Sequence, residues 1–403
     1  MTRPYRRGVT VWWMVAGPSR CGNVRPKPRG EIRMAAQTKT QAAWADMVDA
    51  LSQVSDRFCG EEWGVSGEQD VADSHRLVLH ILQSALFAHA EFDPERPVWR
   101  RIVSPTRKFT GDNADAVYFE APVSSDLVYR VTGNLAGAVY TSFTVELGSS
   151  EGRYATGTGG VLNDDDIDVD ADGNYEVFLG GEPRDRNWLD LPPESGRITT
   201  RHYFEVPKPS AADESLHIPL NIDCLSPVGP ATLWNDETVA EAINRVSNHV
   251  LGKTLQQPIP GTYPLPTWVS REPNVLPDPQ PPGTMGFAAF DAYYTMGRYV
   301  LAPDEALVMT GRWPECKFGN VCLWTAAGQT YDYGNRTTSR NRANTTLEAD
   351  GTFKMVIAHE DPGVYNWLDT EGRPSGSIFW RFFLPTGPVE RIEPKLVKLA
   401  DLR

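Results

Sequence analysis

The chain has 403 residues, 40% hydrophobic and 23% charged, the balance of a globular protein with room for two or three domains. Its formal net charge of −13 is uneven: residues 1–33 hold seven Arg and one Lys against one Glu, leaving about −20 on the remainder. A body that acidic repels phosphate backbones, and no apolar run approaches the roughly 20 residues that cross a bilayer, so neither a nucleic-acid nor a membrane partner is expected.

Residues 1–33 are basic and broken by Gly and Pro, with one apolar stretch from Val9 to Gly17. Arg6-Arg7 ahead of that stretch faintly resembles a twin-arginine export signal. No small-residue cleavage site follows, and Ser19-Arg20 before Cys21 is wrong for a lipoprotein signal. Met34-Ala35 opens directly into helical sequence, so 1–33 reads as an over-extended start or a disordered tail.

Residues 34–100 read as helical. Trp44, Met47, Val48, Leu51, Val54 and Phe58 recur every three or four residues. A second helix is expected from Ser66, whose spacing to Gln69 fits a capping box, with a buried stripe of Val71, Val78, Leu82, Ala85 and Leu86. His75, His80 and His89 on it are expected to be packing or surface residues: His75 and His89 lie about 21 Å apart along the axis, too far to share a metal. After Pro97 the period changes to two. Val117–Phe119, Val128–Val131, Val139–Val145, Tyr175–Leu179 and Ile198–Phe204 alternate as strands separated by Gly, Asn and Asp turns, the pattern of a β-sandwich or jelly roll over 101–210. A third helix at roughly 236–251 and nine prolines between Pro258 and Pro282 form a helix-plus-linker region over 211–283. A second β-lobe occupies 284–403 and ends in a short docked strand.

The two lobes repeat each other. Ala171-Asp172-Gly173, Tyr175, Asn187-Trp188-Leu189-Asp190, Ile198 and Arg201 recur as Ala349-Asp350-Gly351, Phe353, Asn366-Trp367-Leu368-Asp369, Ile378 and Arg381, with successive separations agreeing to within one residue. Thr132-Gly133 and Thr310-Gly311 each stand 38 residues before their Ala-Asp-Gly. A common offset across separate landmarks marks a duplicated domain. Survival of Asn-Trp-Leu-Asp in both copies favours a structural role, Trp plugging a sandwich end and Asn capping a turn. The functional alternative makes Trp a stacking wall and Arg201 or Arg381 an anion clamp.

Asp168, Asp170 and Asp172 before Gly173 match the opening of a calcium loop, but Leu179 stands where the bidentate Glu belongs. A solvated acidic turn is therefore preferred, and neither a metal nor any other cofactor is expected. Gly111-Asp112-Asn113-Ala114-Asp115 can line a pocket mouth or make an Asx turn. Tyr331 to Arg336 and Arg340-Asn341-Arg342 form an arginine-rich insert that the first repeat lacks, and Arg beside Asn and Tyr suits a carboxylate, sulfate or phosphate. His359, close behind a strand, is a candidate for proton transfer, although a lone histidine near a strand end is more often structural. The five cysteines, Cys21, Cys59, Cys224, Cys316 and Cys322, form no C-x-x-C and read as thiols in a reducing cytoplasm, although Cys316 and Cys322 are close enough to pair across a hairpin.

His359-Glu360-Asp361-Pro362-Gly363 running into Asn366-Trp367-Leu368-Asp369-Thr370, with Ile378 and Arg381 behind, resembles the C-terminal signature of domain-of-unknown-function family 1214. Tyr333-Gly334-Asn335-Arg336 and Asn341-Arg342 resemble its Arg/Asn segment, with Gly334 where an Arg is commoner, and Gly111 to Asp115 resembles its opening segment. The resemblance covers roughly 105–403. It implies a jelly-roll-like sandwich and no activity.

The leading expectation is a cytoplasmic binding protein or enzyme for a small, partly apolar anion. Its pocket is expected in the second lobe, where Asn335, Arg336, Asn341, Arg342, His359, Asn366 and Arg381 converge beside Trp367 and Tyr293 or Tyr294. The alternatives are a homo-oligomeric assembly protein and an exported carbohydrate-binding or carbohydrate-active protein.

Overall fold

The computed structural model describes residues 37–231, 233–282, 289 and 291–402. The expectations for residues 1–33 and Met34 lie outside the described residues. From Thr38 onward the chain forms a single contact unit.

Helices α1 (Lys39–Gln53) and α2 (Glu68–His89) precede the first lobe. Thr38 caps α1 in a reciprocal box with Gln41. The box expected at Ser66 does not form, because α2 begins one residue past Gly67, whose φ of 82° only glycine adopts freely. Of the expected stripe on α2, Ala85 is buried and Val78 and Leu82 pack against the core, but Val71 and Leu86 are exposed, and Asp73, Ser74, Leu77, Ile81, Ser84 and His89 are buried as well. A hydrophobicity pattern misses this face because it is partly polar.

The first lobe contains β1 (Arg100–Arg101), β2 (Ala116–Pro122), β3 (Tyr129–Asn134), β4 (Tyr140–Leu147), β5 (Gly157–Asn163), β6 (Asn174–Leu179), β7 (Trp188–Leu189), β8 (Ser195–Tyr203) and β9 (Leu220–Cys224). They form two sheets, β1-β2-β8-β4-β5 and β7-β6-β3-β9. After α3 (Asp236–Gly252) comes the second lobe: β10 (Val269–Pro273), β11 (Ala292–Val300), β12 (Glu305–Gly311), β13 (Phe318–Trp324), β14 (Ser339–Asn341), β15 (Phe353–Ala358), β16 (Trp367–Asp369), β17 (Ser375–Phe383) and β18 (Glu393–Lys398). Its sheets, β10-β11-β17-β13-β14 and β16-β15-β12-β18, repeat the first pair with nine added to every number. The duplication therefore extends to topology. Most pairings are antiparallel; β6 with β7, β15 with β16 and β10 with β11 run parallel. The lobes extend beyond their expected ends, to Cys224 and back to Val269, because β9 and β10 are short edge strands with little alternation. An edge tolerates the prolines around β10.

The repeated landmarks hold the hairpins. Gly133 on β3 faces Tyr175 on β6, and Gly311 on β12 faces Phe353 on β15. A Cβ at Gly133 would meet the Tyr175 hydroxyl at 2.4 Å, and one at Gly311 would meet Phe353 at 2.8 Å, so glycine makes room for the aromatic ring opposite it. Each lobe has its own core between its two sheets, around Phe143, Val177 and Ile198 in the first and Leu307, Met355 and Trp380 in the second. A third apolar layer joins the five-stranded sheets face to face. There Tyr203 and Phe383 approach to 4.5 Å between ring centroids, and Tyr140 and Phe383 to 4.7 Å. Both faces of these sheets are covered, so all nine residues of β8 are buried.

Candidate functional site

Strands β8 and β17 are equivalent in the repeat, and each sends alternate side chains toward the other lobe. On β8 these are Arg197, Thr199, Arg201 and Tyr203; on β17 they include Phe379 and Arg381. Together they line a cavity of about 330 Å³ between the sheets. Trp268, Tyr294 and Trp324 complete the second lobe's wall, Tyr118 and Glu120 the first lobe's, and α2 and α3 contribute Ser84, His249 and Lys253. The duplication makes the site pseudo-symmetric: Arg201 pairs across the sheet with Tyr118, and Arg381 with Tyr294.

The two arginines are buried, at 6% and 4% exposure, but they are held differently. Arg201 donates to Thr144 Oγ1 at 2.5 Å and lies 3.9 Å from Glu146. Burial raises the Glu146 carboxyl, with Arg201 opposing. Arg381 donates from Nη2 to the Gly111 carbonyl at 2.9 Å, and its guanidinium stands 4.1 Å from the Phe379 ring centroid and 5.0 Å from that of Trp324. Its Nη1 has no hydrogen-bond partner among the described residues, and neither does Trp268 Nε1 on the same wall.

A polar chain reaches the cavity from the other side. Glu120 pairs with Arg197 at 2.7 Å, Arg197 donates to His89 Nε2 at 3.0 Å, and His89 Nε2 lies 2.9 Å from His249 Nδ1. Arginine only donates, so His89 Nε2 is an acceptor and His249 Nδ1 carries the proton. Burial, followed by neighbouring cations, holds both imidazoles well below their ordinary pKa and therefore neutral. His249 Nε2 is thus a lone-pair acceptor, without a partner among the described residues, on a residue that lines the cavity. Lys253, one turn further along α3, is lowered to about 8, first by burial and then by Arg197. The cavity therefore offers donors, an acceptor and aromatic walls in a site largely removed from water, the make-up of a small-molecule site.

The expected site residues do not converge in one cavity. Arg381 and Tyr294 line it; Tyr293 packs toward the second lobe's own core. Asn341 is buried at the lobe seam, donating to Asp115 and the Val206 carbonyl at 3.0 Å each, and Arg342 pairs with Glu205 of the first lobe at 2.6 Å. This Arg/Asn insert clasps the lobes together, helped by Asn320, which donates to Asn113 and Asp115. Asn335 bonds Asp332, and Arg336, half exposed, pairs with Asp369 at 2.8 Å. His359 contacts Thr370 Oγ1 at 2.7 Å.

Asn-Trp-Leu-Asp does the same structural work twice. Asn187 and Asn366 have positive φ, 52° and 58°. Each brackets a neighbouring backbone segment: Asn366 accepts from the Thr346 N–H and donates to the Thr346 and Lys354 carbonyls, while Asn187 does the same with Asp168 and Glu176. Trp188 and Trp367 donate to the Gly180 and Ala358 carbonyls. The Asp168, Asp170 and Asp172 turn is held by its own partners. Asp168 is drawn to Arg186 at 2.6 Å, Asp170 accepts from the N–H groups of its own turn, and the described residues contain no cluster of three acidic, His or Cys side chains suited to a metal. Cys316 and Cys322 are free thiols. Sequence reasoning missed Trp268, His249 and Lys253 because they come from the linker and α3, outside the repeat. The signal that was available is the equivalence of Arg201 and Arg381, a repeated charge that faces inward in both lobes.

Residues 319–387 match the family model described as Protein of unknown function (DUF1214). The match runs from β13 to just past β17 and includes Arg381. The solved structure of an uncharacterised protein from Burkholderia cenocepacia is similar over 90% of this chain and 98% of its own, at 27% identity and a TM-score of 0.76. The VPA0106 protein from Vibrio parahaemolyticus aligns over 81% of this chain and 98% of its own at 12% identity, with a TM-score of 0.44. No curated protein matches the chain. No described helix is long and apolar enough to cross a membrane.

Proposed function

We propose that this chain, with its DUF1214 segment in the second of two repeated lobes, binds a small, partly apolar anion in the cavity between them. One observation carries the reading. Arg381 is a buried cation seated on aromatic rings at the cavity wall, and half of its hydrogen-bonding fork has no partner among the described residues. Buried Asp112 and Asp115 act on this guanidinium through space, but its open Nη1 still favours an anion that can accept from it. The guanidinium fork matches a carboxylate, and Trp268, Tyr294 and Phe379 offer the apolar body a stacking wall. The pocket is thus shared between lobes rather than confined to the second. That all four described cysteines are free supports a reducing, cytoplasmic setting.

The test is calorimetric titration of the full chain with 3-phenylpropionate and with its neutral amide. Binding of the acid, weak or absent binding of the amide, and loss in Arg381→Met but not in Arg336→Met are expected. Equal binding of acid and amide, or full binding by Arg381→Met, would refute the assignment. Self-association is a second reading, supported by Leu79, Leu86 and Phe87, which are 48–65% exposed on α2. Sedimentation of wild type against Leu79→Glu checks it.

A further inference from the structure

We infer that His249 is a specificity-determining acceptor of the interlobe cavity, selecting an acid whose apolar body carries a hydroxyl at the end away from its carboxylate. The inference deepens the anion-binding reading and rests on it. The hydrogen-bond chain behind His249 fixes what this residue offers. Glu120 holds Arg197 at 2.7 Å, and Arg197 donates to His89 Nε2 at 3.0 Å. That nitrogen is therefore unprotonated. His249 Nδ1 approaches the same nitrogen to 2.9 Å, where two lone pairs would repel, so Nδ1 carries the proton. A second proton on the ring would add a buried charge beside Lys253 and Arg197. The Nε2 of His249 is thus left with its lone pair. Only 2% of the residue is exposed, and this nitrogen has no hydrogen-bond partner among the described residues. A buried acceptor of this kind, on a residue of the cavity wall, is completed by a ligand that donates.

The polar groups of the cavity fall at two ends. Arg197 and Arg201 stand four residues apart on β8, about 13 Å along the strand. His249 is tied through His89 to the Arg197 end. Arg381 belongs to the Arg201 end: the side chains acting most strongly on its charge are Tyr118 and Tyr203, and Tyr118 is the cross-strand partner of Arg201. A carboxylate on Arg381 therefore leaves His249 to the opposite end of the ligand. The other polar groups near Arg197 do not supply the same acceptor. Glu120 is engaged by Arg197, Thr199 Oγ1 donates to Glu146 at 2.9 Å, and the Lys253 ammonium only donates. The Ser84 hydroxyl turns between donor and acceptor, so it does not discriminate.

The experiment titrates the full chain calorimetrically with 3-phenylpropionate and with its 4-hydroxy and 4-methoxy derivatives. The hydroxyl can donate, whereas the methoxy oxygen fills the same place without a proton. The 4-hydroxy acid is expected to bind about tenfold more tightly than the parent, and the 4-methoxy acid no more tightly. His249→Phe keeps a ring and removes the acceptor, and the preference for the hydroxyl should disappear with it. Circular dichroism checks the fold of that variant. Nitrogen-15 spectra of the histidine-labelled wild type read the bond independently: the His249 Nε2 resonance should move into the hydrogen-bonded range with the 4-hydroxy acid alone. If 3-phenylpropionate binds but the hydroxyl adds nothing, the His249 inference is overturned and the anion site stands. A preference that survives in His249→Phe, or an Nε2 resonance that stays in place, also overturns it. If neither acid binds, both readings fall together.

Discussion

Replacing Arg381 with Met separates a binding arginine from a structural one. Methionine keeps an unbranched apolar stem while removing the guanidinium that stands over Phe379 and Trp324. The loss is one charge-assisted hydrogen bond to the Gly111 carbonyl, about 1.5–3 kcal/mol, and a desolvated cation–π contact of about 2 kcal/mol. Against this, the fold no longer buries a guanidinium, a cost of several kcal/mol, nor an unpaired Nη1 donor, about 1–3 kcal/mol. These terms offset to within about 2 kcal/mol, so the midpoint of urea unfolding, followed by tryptophan fluorescence, should barely move or should rise. Binding of 3-phenylpropionate should fall by about two orders of magnitude or more, since two charge-assisted bonds at about 1.5–3 kcal/mol each disappear. Arg197→Met is the control. Arg197 pairs with buried Glu120 and donates to His89, so its removal strands a carboxylate and should cost about 3–5 kcal/mol. If Arg381→Met were as destabilising as Arg197→Met, Arg381 would be a structural residue and the reasoning would fail.

Asn366→Ala should lose about 3–4 kcal/mol, from three hydrogen bonds and a left-handed backbone, whereas Asn366→Gly should recover about 1 kcal/mol of that because glycine accepts the 58° φ; denaturant titration reads the difference, and ligand binding should be unchanged in both. Gly133→Ala should cost about 1–3 kcal/mol through the clash with Tyr175, measurable by thermal unfolding. Asp164, raised from 3.8 to about 6 by burial against the bond from the Thr141 N–H, binds a proton in the folded state that the unfolded chain releases between those values. Wild-type stability relative to Asp164→Asn should therefore fall as pH rises from about 4 to 6, by at most about 1.4 kcal/mol per pH unit, and level off above it. A flat difference across that window would show that the carboxyl titrates normally.

The duplication, the strand pattern and the structural reading of Asn-Trp-Leu-Asp were legible because each depends on local periodicity or on residues repeated at fixed spacing. Asn187 and Asn366 occupy equivalent left-handed turns, as a motif kept in both copies suggests. The α2 face was read correctly at Val78, Leu82 and Ala85 but not where it buries Ser84, which lines the cavity, and His89, because hydrophobicity gives no signal there. The Arg/Asn insert looked like a ligand site because the chemistry that binds an anion also binds the other lobe: Arg342 meets Glu205 across the seam. Which inward arginine keeps an Nη1 without a partner among the described residues depends on tertiary packing alone. Arg201 has Thr144 and Glu146, Arg381 has one carbonyl and two aromatic faces, and no spacing in the sequence distinguishes them.

The most direct test of the interlobe site is a crystal of the full chain soaked with 4-bromophenylacetate, with the bromine located by anomalous scattering. The account predicts one peak inside the cavity among Trp268, Tyr294 and Phe379, with the carboxylate density on the Arg381 guanidinium. A bromine bound only outside the cavity, or a carboxylate turned away from Arg381, would contradict it.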